Sequence, residues 1–158
     1  MWNKIKPYII SIFIALAVGG ASALLTIGNM DIYSEVKTPP ISPPSFLFPI
    51  VWSILYILMG VSAAIVYKKR NYFAEDVQMG LNAYKISLFF NFLWSIIFFN
   101  FNWFGLAFFC LLGLLFFIIK TVILYYKVDK IAAYLQIPYI IWVIFAGYLN
   151  FGIWMLNK

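Results

Sequence analysis

The chain has 158 residues, of which 65% are hydrophobic and 10% charged; an ordinary soluble domain is about 45–50% apolar and about 25% charged. A soluble fold of this length could not hide that much apolar surface, so a water-soluble enzyme, a disordered chain and a nucleic-acid-binding domain are excluded. The formal charge of +6, from 11 Lys and Arg against 5 Asp and Glu, sits at the ends of apolar runs, which is the pattern of membrane topology and not of a nucleic-acid face.

A bilayer core of about 30 Å takes about 20 apolar residues as helix. Charge-free stretches run 7–30, 38–67, 86–119 and 131–157. The first predicts a helix over about 5–27. Lys4 and Lys6 before it and Ala21-Ser22-Ala23 near its end also resemble a signal peptide with its cleavage site. The apolar run continues through Leu24, Leu25 and Ile27, which favours a retained helix. Ala15, Gly19 and Ala23 recur every four positions along it, a ridge that suits close helix contact within a bundle or between protomers.

Loop 28–45 carries Asp31, Tyr33, Glu35 and Lys37, then Pro39-Pro40 and Pro43-Pro44. Paired prolines stiffen the chain and exclude helix before them. Such a loop serves equally as a lid over a cavity or as a surface connector. The second stretch predicts a helix over 46–68, with Gly60 and Ala64 as another small-residue ridge. The third would make about 50 Å of helix at about 1.5 Å per residue, too long for one crossing. It turns back at Asn100-Phe101-Asn102-Trp103-Phe104-Gly105, giving helices over 80–101 and 104–126. The last predicts 131–155. The expected fold is an all-α membrane protein, a five-transmembrane-helix bundle forming a single integral membrane domain over 1–158. The runs lack the alternation of barrel strands.

Nine basic residues (Lys4, Lys6, Lys68, Lys69, Arg70, Lys85, Lys120, Lys127 and Lys130) fall on the side of the N-terminus, and two (Lys37 and Lys158) on the other. That asymmetry puts the N-terminus in the cytoplasm. Lys85 and Lys120 lie near helix ends, where they can snorkel. All five acids lie in loops, which disfavours a proton-coupled pump. With no histidine and a single cysteine, Cys110, neither a metal site, a triad nor an intramolecular disulfide is expected.

Aromatics make up 22% of the chain. Trp2, Trp103 and Trp154 fit the interfacial belt. Trp52, Trp94 and Trp142 fit it less well, and each shares a helix face with small or polar neighbours: Trp52 with Tyr56, Trp94 with Asn91 and Ser87, Trp142 with Ala146, Leu149 and Asn150. Turned inward, these faces make a flat-walled apolar cavity suited to a ligand, or plain aromatic packing with amides bonded across helices.

Three blocks then stand out: Pro43-Pro44-Ser45-Phe46 with Val51-Trp52, Leu55-Tyr56 and Met59-Gly60; Asn91-Phe92-Leu93-Trp94 with Phe98-Phe99; and Ile137-Pro138-Tyr139 with Trp142, Phe145-Ala146, Leu149-Asn150 and Trp154. In this order and spacing they resemble helices 2, 3 and 5 of the TspO / translocator protein family, also called tryptophan-rich sensory proteins or peripheral-type benzodiazepine receptors. The resemblance covers essentially the whole chain. It implies a five-helix bundle, often dimeric, with a ligand pocket under the first loop that takes protoporphyrin IX, haem or other flat apolar molecules. The implied ligand-binding positions are Tyr33, Pro43, Trp52, Tyr56, Asn91, Trp94, Trp142, Ala146 and Leu149. Porphyrin is then a ligand, and no cofactor is required. Some bacterial members break porphyrin down with light and oxygen, which would give Trp52 and Trp142 a catalytic role; a tetrapyrrole or lipid transporter is a further alternative.

The chain departs from the family pattern at Ile32 and Ile41, where tryptophans are usual, at Ser87, where an amide is common, and at Cys110, where an Asp is common. Phe151 replaces the Tyr of the cholesterol motif, so cholesterol transport is not expected. Ten Lys to one Arg, with abundant Ile, Asn and Phe, suggests a bacterial source and so a bacterial cytoplasmic membrane.

Overall fold

The computed structural model describes residues 1–158 and is built of helices and their connections alone. Helix α1 (Trp2–Thr26) ends in a 3-10 turn (Ile27–Asn29), and the loop after it holds a short helix, α2 (Ile32–Glu35). Then come α3 (Leu47–Lys68) and α4 (Ala74–Ser95), which continues through a π-helical turn (Ile96–Asn100). Helix α5 (Phe104–Val128) is followed by α6 (Lys130–Leu135) and α7 (Ile137–Leu156). Five stretches are long and apolar enough to cross a membrane: Trp2–Asn29, Leu47–Lys68, Ala74–Asn100, Phe104–Val128 and Lys130–Leu156. Large apolar side chains such as Phe13, Phe109, Phe116 and Ile141 stand exposed, which is stable against lipid and not against water.

Two boundaries differ from expectation. Helix α4 starts at Ala74, six residues before the expected 80. Glu75 and Asp76 occupy its first turn, where the positive end of the helix dipole favours them. Lys85 therefore stands about 16 Å along α4, not near its end. The fifth span is broken between α6 and α7, because Pro138 cannot donate to the carbonyl one turn back. At the break the buried Gln136 turns its amide across to α3: Gln136 Nε2 donates to Ser62 Oγ at 3.2 Å, and Ser62 Oγ donates to the Ala132 carbonyl at 2.7 Å.

The bundle closes as a ring of α1, α3, α6–α7, α5 and α4. The two small-residue ridges meet each other inside it. Gly60 lies against the backbone of Ile12, Gly19 lies under the Tyr56 ring, and Ala15 and Ala64 are fully buried. This seam belongs to one chain, while Ala23, the third member of the first ridge, stands exposed outside it. Helix α3 packs closely on α6, while the α3 and α7 backbones diverge and side chains fill the wedge between them.

The basic end is tied together. Lys68 sits over the Tyr8 ring at 5.1 Å, Lys127 lies 3.9 Å from Asp76, and Lys69 lies 2.6 Å from Asp129. Asp129 also caps α6, its Oδ1 accepting from the Ile131 and Ala132 amides at 2.8 and 3.1 Å. Burial pushes its carboxyl up, but Lys69 and these amides together outweigh it and hold the group below the usual carboxylate range.

Candidate functional site

The wedge between α3 and α7 brings together most of the residues predicted for the site. Trp52 is at its centre, with four rings around it. Tyr56 stacks on it at 5.8 Å between centroids, Trp94 is tilted at 6.2 Å, and Tyr139 and Trp142 meet it edge-on at 6.1 and 6.4 Å. These separations and angles are those of favourable aromatic pairs. The series continues outward: Phe48 meets Trp142 at 5.9 Å, and Tyr33, on α2, meets Phe48 at 5.0 Å. Trp52 and Trp142 are half-buried, whereas Tyr56, Trp94, Ala146 and Leu149 are buried. The sequence left a flat-walled cavity and plain aromatic packing both open; these ring contacts are those of packing.

Beneath the rings the amides are engaged with the protein. Asn91 accepts from the Tyr56 hydroxyl at 2.9 Å and donates to the Tyr139 oxygen at 2.7 Å, joining α3, α4 and α7. Trp94 Nε1 donates to Asn150 at 3.0 Å, and Asn150 donates to the Phe104 carbonyl at 2.8 Å. Asn91 and Trp94 therefore act as struts. Ser87 donates to the Tyr84 carbonyl at 2.6 Å and does not reach the rings through a hydrogen bond. Cys110 contacts the Phe90 carbonyl at 3.6 Å, behind the site. One polar atom in the wedge stands apart: Trp142 Nε1 is buried with no hydrogen-bond partner.

The loop closes the mouth. Tyr33 donates to the Pro43 carbonyl at 3.0 Å, which folds the loop on itself. Burial pushes the Tyr33 phenol up, with Ser42 pulling the other way, so it stays a neutral donor. Pro39 seats against Gly152 of α7, where a Cβ would meet the proline ring at 2.6 Å or less. Tyr148 donates to the Pro40 carbonyl, and Asn157 bonds the Lys37 backbone. On the other flank Asn29 donates to Asn100 at 2.9 Å, and Asn100 donates to the Leu25 carbonyl at 3.0 Å. Between the two proline pairs Ile41 is forced to a φ of 64°, an unusual state for a β-branched residue, and its side chain points to solvent. Ile32 packs against the core beside Tyr33. Of the two departures from tryptophan, only the one at Ile32 adjoins the aromatic cluster.

Sequence reasoning left Phe48 without a role and noted Tyr139 only as part of a motif. Both carry a helical signal, Phe48 one turn before Trp52 and Tyr139 three residues before Trp142. The anchors Tyr148 and Asn157 carry none, because their partners are backbone atoms of a distant loop.

The order of these elements is matched by known proteins. The family model described as the TspO/MBR family matches residues 11–155. The chain belongs to the TspO/MBR family. It is 37% identical over 148 residues to Protein CrtK of Rhodobacter capsulatus, covering 92% of this chain and 89% of that one. It is 36% identical over 163 residues to the tryptophan-rich protein TspO of Chlorobaculum tepidum, covering 99% of each. It is 32% identical over 125 residues to the human translocator protein, covering 79% of this chain and 74% of that one. TspO/MBR membership and the five apolar helices together make the chain an integral membrane protein.

Proposed function

We propose that this TspO/MBR protein is a membrane receptor for porphyrins, protoporphyrin IX and haem among them, and for similar flat apolar ligands, held against Trp52 and Trp142 beneath the 28–45 loop. The observation that carries the reading is the buried, unpartnered Nε1 of Trp142 in a wedge otherwise made of π faces. A flat ligand offers rings to stack and a polar edge for that one unused donor. Entry requires the loop to lift from α7 and the Trp52 and Trp142 rings to part. The N-terminus faces the cytoplasm of a bacterial cell in this reading, supported by the excess of nine basic residues over two at its end.

A second reading is light- and oxygen-dependent porphyrin breakdown at the same site. It is favoured by the edge contact of Trp52 with Trp142, which sets two electron-rich rings beside any ligand in the wedge. The test is quenching of tryptophan fluorescence by protoporphyrin IX, in the dark and then under light. Saturable quenching at low micromolar concentration, about −8 kcal/mol, supports the receptor; absence of saturation rejects it. Bleaching that disappears in the Trp52→Phe/Trp142→Phe variant while binding survives supports the second reading, and bleaching retained in that variant removes the catalytic role of both residues.

A further inference from the structure

A second feature lies on the opposite side of the bundle, on the α1–α4 face. Two grooves there, each of about 560 Å³, share Ile14, Lys85 and Leu88 and so form one continuous channel. Its inner half is apolar, with Ala17 and Ala21 as floor and Phe13, Phe89 and Phe92 as walls. Its outer half, at the basic end of the molecule, is lined by Lys6 of α1, Arg70 of the α3–α4 turn and Lys85 of α4, together with Asn3, Ser11 and Tyr84. No acidic residue lines either half. Neither ion pair of the chain uses these three cations. Arg70 is held in place by stacking on Tyr67 at 4.2 Å and by donating to the Tyr67 carbonyl at 3.1 Å. The Tyr84 hydroxyl, in the same wall, is buried without a hydrogen-bond partner.

We infer that this channel binds an anionic phospholipid, its phosphate among Lys6, Arg70 and Lys85 and an acyl chain along Ala17 and Ala21. Three cations from three segments line the channel's outer half with no acid among them, a charge complementary to a phosphate. From Lys6 to Ala21 the channel spans about 22 Å of α1, about half of a bilayer of about 40–45 Å and so about the length of one lipid. Lys85 lies about 16 Å along α4 from Ala74 and is exposed, so an anion within its reach stabilises it on a lipid-facing helix. The inference does not rest on porphyrin binding.

The test is native mass spectrometry of the protein with phosphatidylglycerol or phosphatidylcholine at equal concentration. Wild type should retain phosphatidylglycerol at least tenfold better. Lys6→Gln/Arg70→Gln/Lys85→Gln should abolish that preference. Lys4→Gln/Lys68→Gln/Lys120→Gln, with the same loss of charge outside the channel, should keep it within twofold. Equal loss in both variants would mean diffuse surface attraction and overturn the site, as would equal retention of the two lipids by wild type. An Ala17→Cys variant in phosphatidylglycerol nanodiscs should stay monomeric under oxidation; disulfide-linked dimers would put a second copy in the channel and overturn the lipid.

Discussion

Lys37 and Asn157 bond to each other twice. The Lys37 amide donates to Asn157 Oδ1 at 3.0 Å, and Asn157 Nδ2 donates to the Lys37 carbonyl at 2.9 Å. Together with Tyr148 on Pro40 and Pro39 on Gly152, this pair straps the loop to α7. Each bond is worth about 1 kcal/mol, so Asn157→Ala/Tyr148→Phe should raise amide exchange at Lys37 by roughly tenfold or more. Exchange in α5 should not change. The association rate of protoporphyrin IX should rise in parallel, since the ligand enters under this loop in the proposed reading. Unchanged exchange in the loop would mean that the straps do not hold it.

Asn91 fixes three helices through two hydroxyls. Asn91→Leu leaves the Tyr56 and Tyr139 hydroxyls buried with no partner from α4. The expected loss is roughly 1–2 kcal/mol per bond, seen as a lower melting temperature in detergent. The triple change Asn91→Leu/Tyr56→Phe/Tyr139→Phe removes the stranded groups and should recover part of it. A single Asn91→Leu that melts with wild type would show the network to be inert.

Gly60 and Gly20 offer a matched pair of alanine substitutions. A Cβ at Gly60 meets the Ile12 backbone Cα at 2.5 Å, and backbone gives way only if the whole of α1 moves. A Cβ at Gly20 meets nothing within 4 Å. Gly60→Ala should cost about 1–3 kcal/mol by overpacking the α1–α3 seam. Gly20→Ala should be neutral or slightly stabilising, as alanine favours helix. Equal melting temperatures would disprove the seam.

Asp129 links folding to pH at the basic end. Its carboxyl is held below the usual range in the folded state, so its contribution is present above the ordinary carboxylate value of about 3.9. It is lost as pH falls through the lower folded-state value. Asp129→Ala should cost about 1 kcal/mol near neutrality, chiefly through the lost cap. The difference from wild type should hold down to about pH 5 and shrink below about pH 4. Asp129→Asn keeps a cap acceptor and loses only a partly exposed ion pair with Lys69, so it should cost less. A difference that grows on acidification would contradict this account.

The spans were legible because lipid imposes a rule that each residue obeys alone: about 20 apolar residues in a row become a crossing helix. The turn at Asn100–Gly105 followed from length, and the structure has its helix ends at Asn100 and Phe104. The start of α4 was misplaced because Glu75 and Asp76 read as loop residues by polarity, although a helix N-terminus outside the membrane suits them. Pro138 was visible, but the break it makes beside Gln136 was not anticipated. Trp52, Tyr56, Asn91, Trp94 and Trp142 could be named from helical spacing and family likeness, yet their division into half-buried rings and buried struts could not.

The sequence by itself determined the solvent of this protein, its helical class, its five crossings and its family, since hydropathy and motif spacing are properties of neighbouring residues. Only the tertiary structure decided that Asn91 serves Tyr56 and Tyr139, that the Ala15–Gly19 and Gly60–Ala64 ridges face each other, and that the proline loop is closed onto α7. Those outcomes join residues 35, 48 and 120 positions apart in the hydrogen bonds concerned. They depend on where side chains point once the helices have packed, and no local pattern carries that direction.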